Sequence, residues 1–234
     1  MIGSSEKPPV FSSLLTSDNP LFYKGCAYLP EKEELFVTSD LLPSTSSSKL
    51  PVVLISRISF QRTPPPINHL DWHYSEPRTI TAAKWEKLRP PAEVPMPSGI
   101  IPHHDGVLFC SQGTLEPQSG GLWYMPLGKP PVAVLRSFFG RPFNSLQDVA
   151  RGKGSRGHSA FWFTDSTAGF GQELRPHPRL PGQVYRFDQG TGELRVVADG
   201  FGSPAGIALS PSEDTAYVTD TAAARPDGTI DPTL

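Results

Sequence analysis

A chain of 234 residues with 37% hydrophobic and 19% charged residues is long and apolar enough to bury a core, which excludes a disordered tail. Its formal net charge of -2 comes with no run of Lys and Arg, and no stretch approaches the roughly 18 apolar residues that cross a bilayer, so the partners expected exclude nucleic acid and membrane. The 27 prolines and 21 glycines exceed average usage of roughly 5% and 7%, proline more so, and predict short strands between turns, an all-β chain.

Residues 1–20 read as an N-terminal extension, and Met1 to Phe11 lacks the apolar core of a secretory signal, which gives a cytoplasmic expectation. A first unit begins near Lys24 and carries Leu35-Phe36-Val37-Thr38-Ser39-Asp40 as a short strand. Ser44 to Lys49 is a low-complexity connection. Gln61 to Pro95, with Pro64-Pro65-Pro66 and Pro90-Pro91, reads as an insertion whose one helical candidate is Thr79 to Leu88.

A second unit begins near Pro97 to Ile100 and continues through Val107 to Ser111, Gly121 to Tyr124 and Pro131 to Leu135. The third begins near Asn144 to Asp148 and runs through Phe161-Trp162-Phe163-Thr164-Asp165, Gly182 to Asp188 and, after a turn-rich connection, Glu193 to Ala198. The fourth opens with Gly202 to Leu209 and echoes the third in Tyr217-Val218-Thr219-Asp220, about 55 residues on. Four short strands per unit, repeated at that period, predict a β-propeller over 21–234.

The remaining clusters read as structure. His103-His104-Asp105 precedes a glycine and is expected in a solvated turn. Asp40, Asp165 and Asp220 recur at the ends of second strands, where each is expected to make the same turn hydrogen bond. Ser111 and Ser166 lack a nucleophile-elbow context. Cys26 and Cys110 are expected as buried free thiols, with one bridge between them as the alternative.

Several segments, in this order and spacing, resemble the SMP-30/gluconolactonase/LRE family and especially its fungal lactonohydrolase-like branch. They are Trp85 to Pro91 leading to Pro95 to Gly99, Leu108 to Gly113, Arg141 to Ser145, Phe161 to Asp165, Val184 to Arg186, and Val196 to Phe201 running into Gly206-Ile207-Ala208. The resemblance implies a six-bladed propeller of which about four blades lie in this chain. A truncated chain is therefore expected, whose natural counterpart carries two further blades. It also implies one divalent cation of Ca²⁺ type on the axis, held by a Glu, two Asn and a later Asp, and hydrolysis of a small lactone, sugar-like or from secondary metabolism.

Carried over residue by residue, that site is degenerate. The family's Glu falls on Lys24, its first Asn on Gln147, which precedes Asp148, and its second on Ala205; a further frequent Asn has become Ser98. Lys24, Ser98, Gln147, Asp148 and Ala205 are thus the pocket candidates. Gln147 alone keeps a ligand oxygen, Ala205 supplies none, and an ammonium at Lys24 would repel a divalent ion by about 8 kcal/mol at roughly 4 Å and an effective dielectric near 20. The substitutions argue against ordinary metal-dependent chemistry. A lactonohydrolase-like enzyme with a remodelled site stands beside two alternatives, a non-catalytic binding propeller and a nonfunctional fragment.

Overall fold

The described residues of the computed structural model, 17–44, 51–63 and 79–223, form sixteen strands. Blade 1 comprises β1 (Cys26–Leu29), β2 (Glu34–Thr38), β3 (Ile55–Arg62) and β4 (Ile80–Leu88). Blade 2 comprises β5 (Pro97–His103), β6 (Gly106–Ser111), β7 (Gly121–Pro126) and β8 (Val132–Leu135). A short hairpin, β9 (Ser137–Phe138) with β10 (Arg141–Pro142), leads into blade 3. That blade comprises β11 (Leu146–Lys153), β12 (Ser159–Asp165), β13 (Gly182–Asp188) and β14 (Glu193–Phe201), and a fourth unit opens with β15 (Pro204–Leu209) paired to β16 (Ala216–Asp220). Each sheet is an antiparallel meander in chain order, the architecture of a propeller blade. The inner strands β1, β5, β11 and β15 stand side by side, each packed on the next.

Burial explains the sequence pattern. Every residue of β6 is buried, and its side chains alternate between two cores. Val107 and Phe109 join Ala27, Phe36, Ile55 and Ile100 between blades 1 and 2, while Leu108 and Cys110 join Leu146, Phe161, Phe163 and Tyr185 between blades 2 and 3. A strand sandwiched on both faces reads as a continuous apolar run. Phe143, Phe163 and Tyr185 pack as rings 5.4–5.5 Å apart at the centre of the second core.

The helical reading of Thr79 to Leu88 is corrected. Ile80–Leu88 is β4, the outer strand of blade 1, paired along its length with β3 so that Ile58 faces Trp85 and Arg57 faces Glu86 in an ion pair. Ala82, Ala83, Lys84 and Glu86 favour a helix locally, but cross-strand pairing overrides propensity. The stretch read as an insertion therefore gives Ile80–Leu88 to the blade. Pro64 to Pro66, His69 and His73 lie outside the described residues, as do most of the N-terminal extension and of the Ser44 to Lys49 segment.

Candidate functional site: an inner-strand cavity

Three inner strands carry an irregularity at the same place. The register slips between Pro97 and Ile100 in β5, between Leu146 and Val149 in β11, and between Pro204 and Ile207 in β15. Inside these bulges sit Ser98-Gly99, Gln147-Asp148 and Ala205-Gly206, and a bulge is a common way to re-aim a side chain beside a site. Lys24-Gly25 occupies the corresponding place just before β1. The result is a cavity of about 430 Å³ whose lining includes Lys24, Ser98, Gln147, Asp148 and Ala205. All five predicted pocket residues thus share one wall. A larger apolar cavity of about 710 Å³ on the flank of blade 1, lined by residues such as Leu42, Val52, Pro91 and Met96, contains none of them.

The strands approach so closely that glycine is required at two positions. A Cβ on Gly25 would lie 2.4 Å from the Ile100 nitrogen, and one on Gly99 would lie 2.6 Å from the Asp148 Cα. Asp148 stands in the position that the other three inner strands give to Gly25, Gly99 and Gly206. Its carboxylate spans two blades, accepting from the N–H of Val149 at 2.9 Å and of Ile207 at 3.0 Å. Burial pushes its pKa up, against the pull of those two N–H groups. A further pair of bonds hangs two of the inner strands, β5 and β15, from the preceding blade: Thr38 Oγ1 donates to the Ser98 carbonyl at 2.6 Å, and Thr164 Oγ1 to the Ala205 carbonyl at 2.6 Å.

Lys24 is the cation of the cavity. Its Nζ lies 3.9 Å from Asp40 Oδ1, with the lysine side chain 20% exposed, and no acceptor among the described residues is within hydrogen-bond distance. Burial lowers its pKa, and Asp40 opposes that shift. Gln147 is held differently: its Nε2 donates to the Ser145 carbonyl at 3.2 Å, to Ser145 Oγ at 2.9 Å and to Gln112 Oε1 at 3.2 Å.

These donors do not fit a divalent cation. Lys24 offers only N–H donors and Ala205 a methyl group, so the wall sets an ammonium beside a single carboxylate, Asp148, whose oxygens each already accept a backbone N–H, with Gln147 Oε1 and the Ser98 and Tyr23 hydroxyls as neutral oxygens. Among the described residues no three His, Cys, Asp or Glu side chains are grouped to hold a metal ion.

The sequence profile of the SMP-30/Gluconolactonase/LRE-like region matches residues 96–227, more than half of the chain. The chain belongs to that family. Lactonohydrolase oryL of Aspergillus oryzae is 30% identical over 138 residues, 56% of this chain and 30% of the relative. Lactonohydrolase oryH of the same organism is 44% identical over 55 residues, 24% of this chain and 11% of the relative. Among solved structures, a gluconolactonase from Xanthomonas campestris superposes with a TM-score of 0.57 at 22% identity, over 91% of this chain and 57% of its own. A structural-genomics candidate gluconolactonase superposes with a TM-score of 0.53 at 17% identity, over 85% and 56%. These likenesses carry the propeller fold, and the chain spans less than two thirds of each of these proteins.

Against this SMP-30/gluconolactonase/LRE-like fold, three sequence expectations change. Asp165 and Asp220 do make one recurrent turn bond, accepting from the N–H groups of Asn144 and Ser145 and of Gly202 and Ser203, but Asp40 does not and faces Lys24 instead. His103 is not solvated: it is the last residue of β5, buried against Phe161 and Tyr124, and burial takes its pKa down to about 4, helped by His104 and Arg151. Cys26 is exposed beside the cavity, while Cys110 is buried, and both are free thiols.

The sequence reading also passed over Gln112 and Arg175. Gln112 is fully buried behind Gln147. Arg175 is buried too and donates to the carbonyls of Asn144, Phe143, Thr114, Glu116 and Pro117, which locks the blade 2 loop to the start of blade 3. Only the Gly, Gly, Asp, Gly series at 25, 99, 148 and 206 could have been read from the sequence as a mark of the wall.

Proposed function

We propose that this chain is part of a lactone hydrolase of the family's type and that the inner-strand cavity receives the lactone. One observation carries the reading. Four consecutive inner strands present Lys24, Ser98, Gln147 and Ala205 from equivalent positions into one cavity, where the family's active site is expected. The reaction adds a water oxygen to the ring carbonyl carbon and breaks the ring C–O bond. The ring oxygen leaves as a hydroxyl, and the acid product ionises. As the carbonyl oxygen gains negative charge, an ammonium in a half-buried wall stabilises it more than water does, because the local dielectric is low. Lys24 has that place in the reading, with the Ser98 hydroxyl next along the wall.

A second reading, binding without turnover, is favoured by one feature: Asp148, the one carboxylate among the residues lining the cavity, has both oxygens held by backbone N–H groups of its own wall. Ring opening of glucono-δ-lactone and of a γ-lactone, followed by acid release in weak buffer, tests the choice. Turnover above the spontaneous rate that falls at least tenfold in Lys24→Ala and is unchanged in Lys32→Ala supports hydrolysis. A folded chain that leaves both lactones at the spontaneous rate supports binding alone.

A further inference from the structure

We infer that the cavity holds a small hydroxylated carboxylate between a fixed cation, the Lys24 ammonium, and one oriented acceptor, Gln147 Oε1, with no divalent ion recruited. The inference takes from the preceding section only that this cavity is the ligand site, and it names the ligand's chemistry.

Lys24 has three N–H donors and, among the described residues, no hydrogen-bond acceptor. Its nearest carboxylate, Asp40, stands at 3.9 Å, close enough to attract and too far to bond. A half-buried ammonium in that condition is completed by an anion that brings its own oxygens into reach. The other charged group on the wall, Asp148, turns its oxygens to the N–H groups of Val149 and Ile207, one each, and forms no ion pair with Lys24. A metal ion would face the ammonium directly, whereas a carboxylate answers it.

Gln147 sets the second contact. The Ser145 carbonyl can only accept, so the amide end 3.2 Å from it is the nitrogen, and the same nitrogen reaches Ser145 Oγ and Gln112 Oε1. Both amide hydrogens are thereby spent, and Oε1, which makes no bond among the described residues, is left for the cavity that Gln147 lines. An oriented acceptor selects a donor, and on a carboxylate ligand the available donor is a hydroxyl. Gln112 acts through Gln147 as a positioning residue. It is completely buried, and its own Nε2 has no partner, an arrangement that makes sense if its Oε1 is kept for the Gln147 amide. At about 430 Å³ the cavity lies toward the small end of ligand sites, roughly 300–1,000 Å³, which suits a monocarboxylate of sugar size.

The test is calorimetric titration of sodium gluconate and sodium acetate into the chain with EDTA present, repeated with Ca²⁺ in place of EDTA. Protection of Cys26 from iodoacetamide gives a second readout, since Cys26 is exposed beside the cavity while Cys110 is buried. The expected result is gluconate binding that is the same in EDTA and Ca²⁺, tighter than acetate, and accompanied by slower Cys26 alkylation. Lys24→Ala is expected to weaken gluconate at least tenfold, Lys24→Arg to retain most of it, and Lys32→Ala to change nothing. Gln147→Leu is expected to erase the preference for gluconate over acetate while leaving acetate affinity intact. Gluconate binding that requires Ca²⁺, or that survives Lys24→Ala in a folded variant, overturns the inference even if lactones are hydrolysed. Binding as described without any turnover supports it and removes only the hydrolase reading.

Discussion

After the matching threonines of the second strands in blades 1 and 3, an aspartate follows at different distances, Asp40 two residues after Thr38 and Asp165 one residue after Thr164, and the two do opposite work. Asp165 is buried and spends its carboxylate on the two backbone N–H groups that open β11, with Arg175 nearby; Asp40 is a third exposed and offers its charge to Lys24 at the cavity. Blade 2 shows why the use can change. There Ser111 occupies the strand end, and because Pro95 has no N–H to satisfy, the serine hydroxyl instead donates to the Pro95 carbonyl. A strand-end side chain follows the hydrogen-bonding need of the segment that leads into its own blade's inner strand. In blade 1 the equivalent place is Ser39, Thr38 O accepts from the N–H groups of Tyr23 and Lys24, and Asp40, one residue further on, faces Lys24.

The comparison breaks most visibly in stability. Asp165→Ala leaves two buried N–H groups without an acceptor and removes the nearby opposite charge from Arg175, so a loss of about 3–4 kcal/mol in urea unfolding is expected. Asp40→Ala removes only a loose, partly exposed ion pair, and a change within about 0.5 kcal/mol is expected in the same measurement. Equal losses from the two would show that the two carboxylates do one job.

A second break is in pH. Burial pushes Asp165 up to about 7, against its backbone donors and Arg175, so the folded state holds a proton that the unfolded chain releases near 4. The stability this contributes is present at low pH and is lost as pH rises toward about 7. Urea melts at pH 5 and pH 8 are expected to differ by on the order of 2 kcal/mol more in the native chain than in Asp165→Asn. His103 works with the other sign: held neutral in the fold down to about 4, beside His104 and Arg151, it costs stability as pH falls below about 6.5. His103→Phe is expected to flatten that acid limb by on the order of 1–2 kcal/mol.

Smaller effects sharpen the contrast. Removing the competing charge in Asp40→Asn is expected to tighten gluconate binding a few-fold, within about 1 kcal/mol by titration, whereas Asp220→Asn, at the equivalent turn of the fourth unit, is expected to leave affinity unchanged. Thr164→Val is expected to lower stability by about 1–2 kcal/mol, since its hydroxyl both donates to the Ala205 carbonyl and accepts from the Asp148 N–H.

Much of this arrangement was legible in the residues. The starts of the four inner strands and the Phe-Trp-Phe-Thr-Asp and Tyr-Val-Thr-Asp echoes stand where strand alternation put them, and Lys24, Ser98, Gln147, Asp148 and Ala205 line one cavity. What misled was local propensity without its partner. Ile80–Leu88 looks helical until β3 lies beside it, and His103 looks like turn until Phe161 and Tyr124 close over it. The duties of Asp40, Gln112 and Arg175 were invisible because each depends on backbone atoms from distant segments, which no spacing records.

The threonine bonds between blades have a consequence for how such a site changes over time. Thr38 and Thr164 hold the next inner strand by its carbonyl oxygens, at Ser98 and Ala205, and not by its side chains. At these two places the backbone of the wall is held independently of the side chain it displays. Lysine, serine, glutamine and alanine already occupy equivalent places on one scaffold, so the chemistry of the axis can be rewritten one residue at a time without rebuilding the barrel of strands behind it.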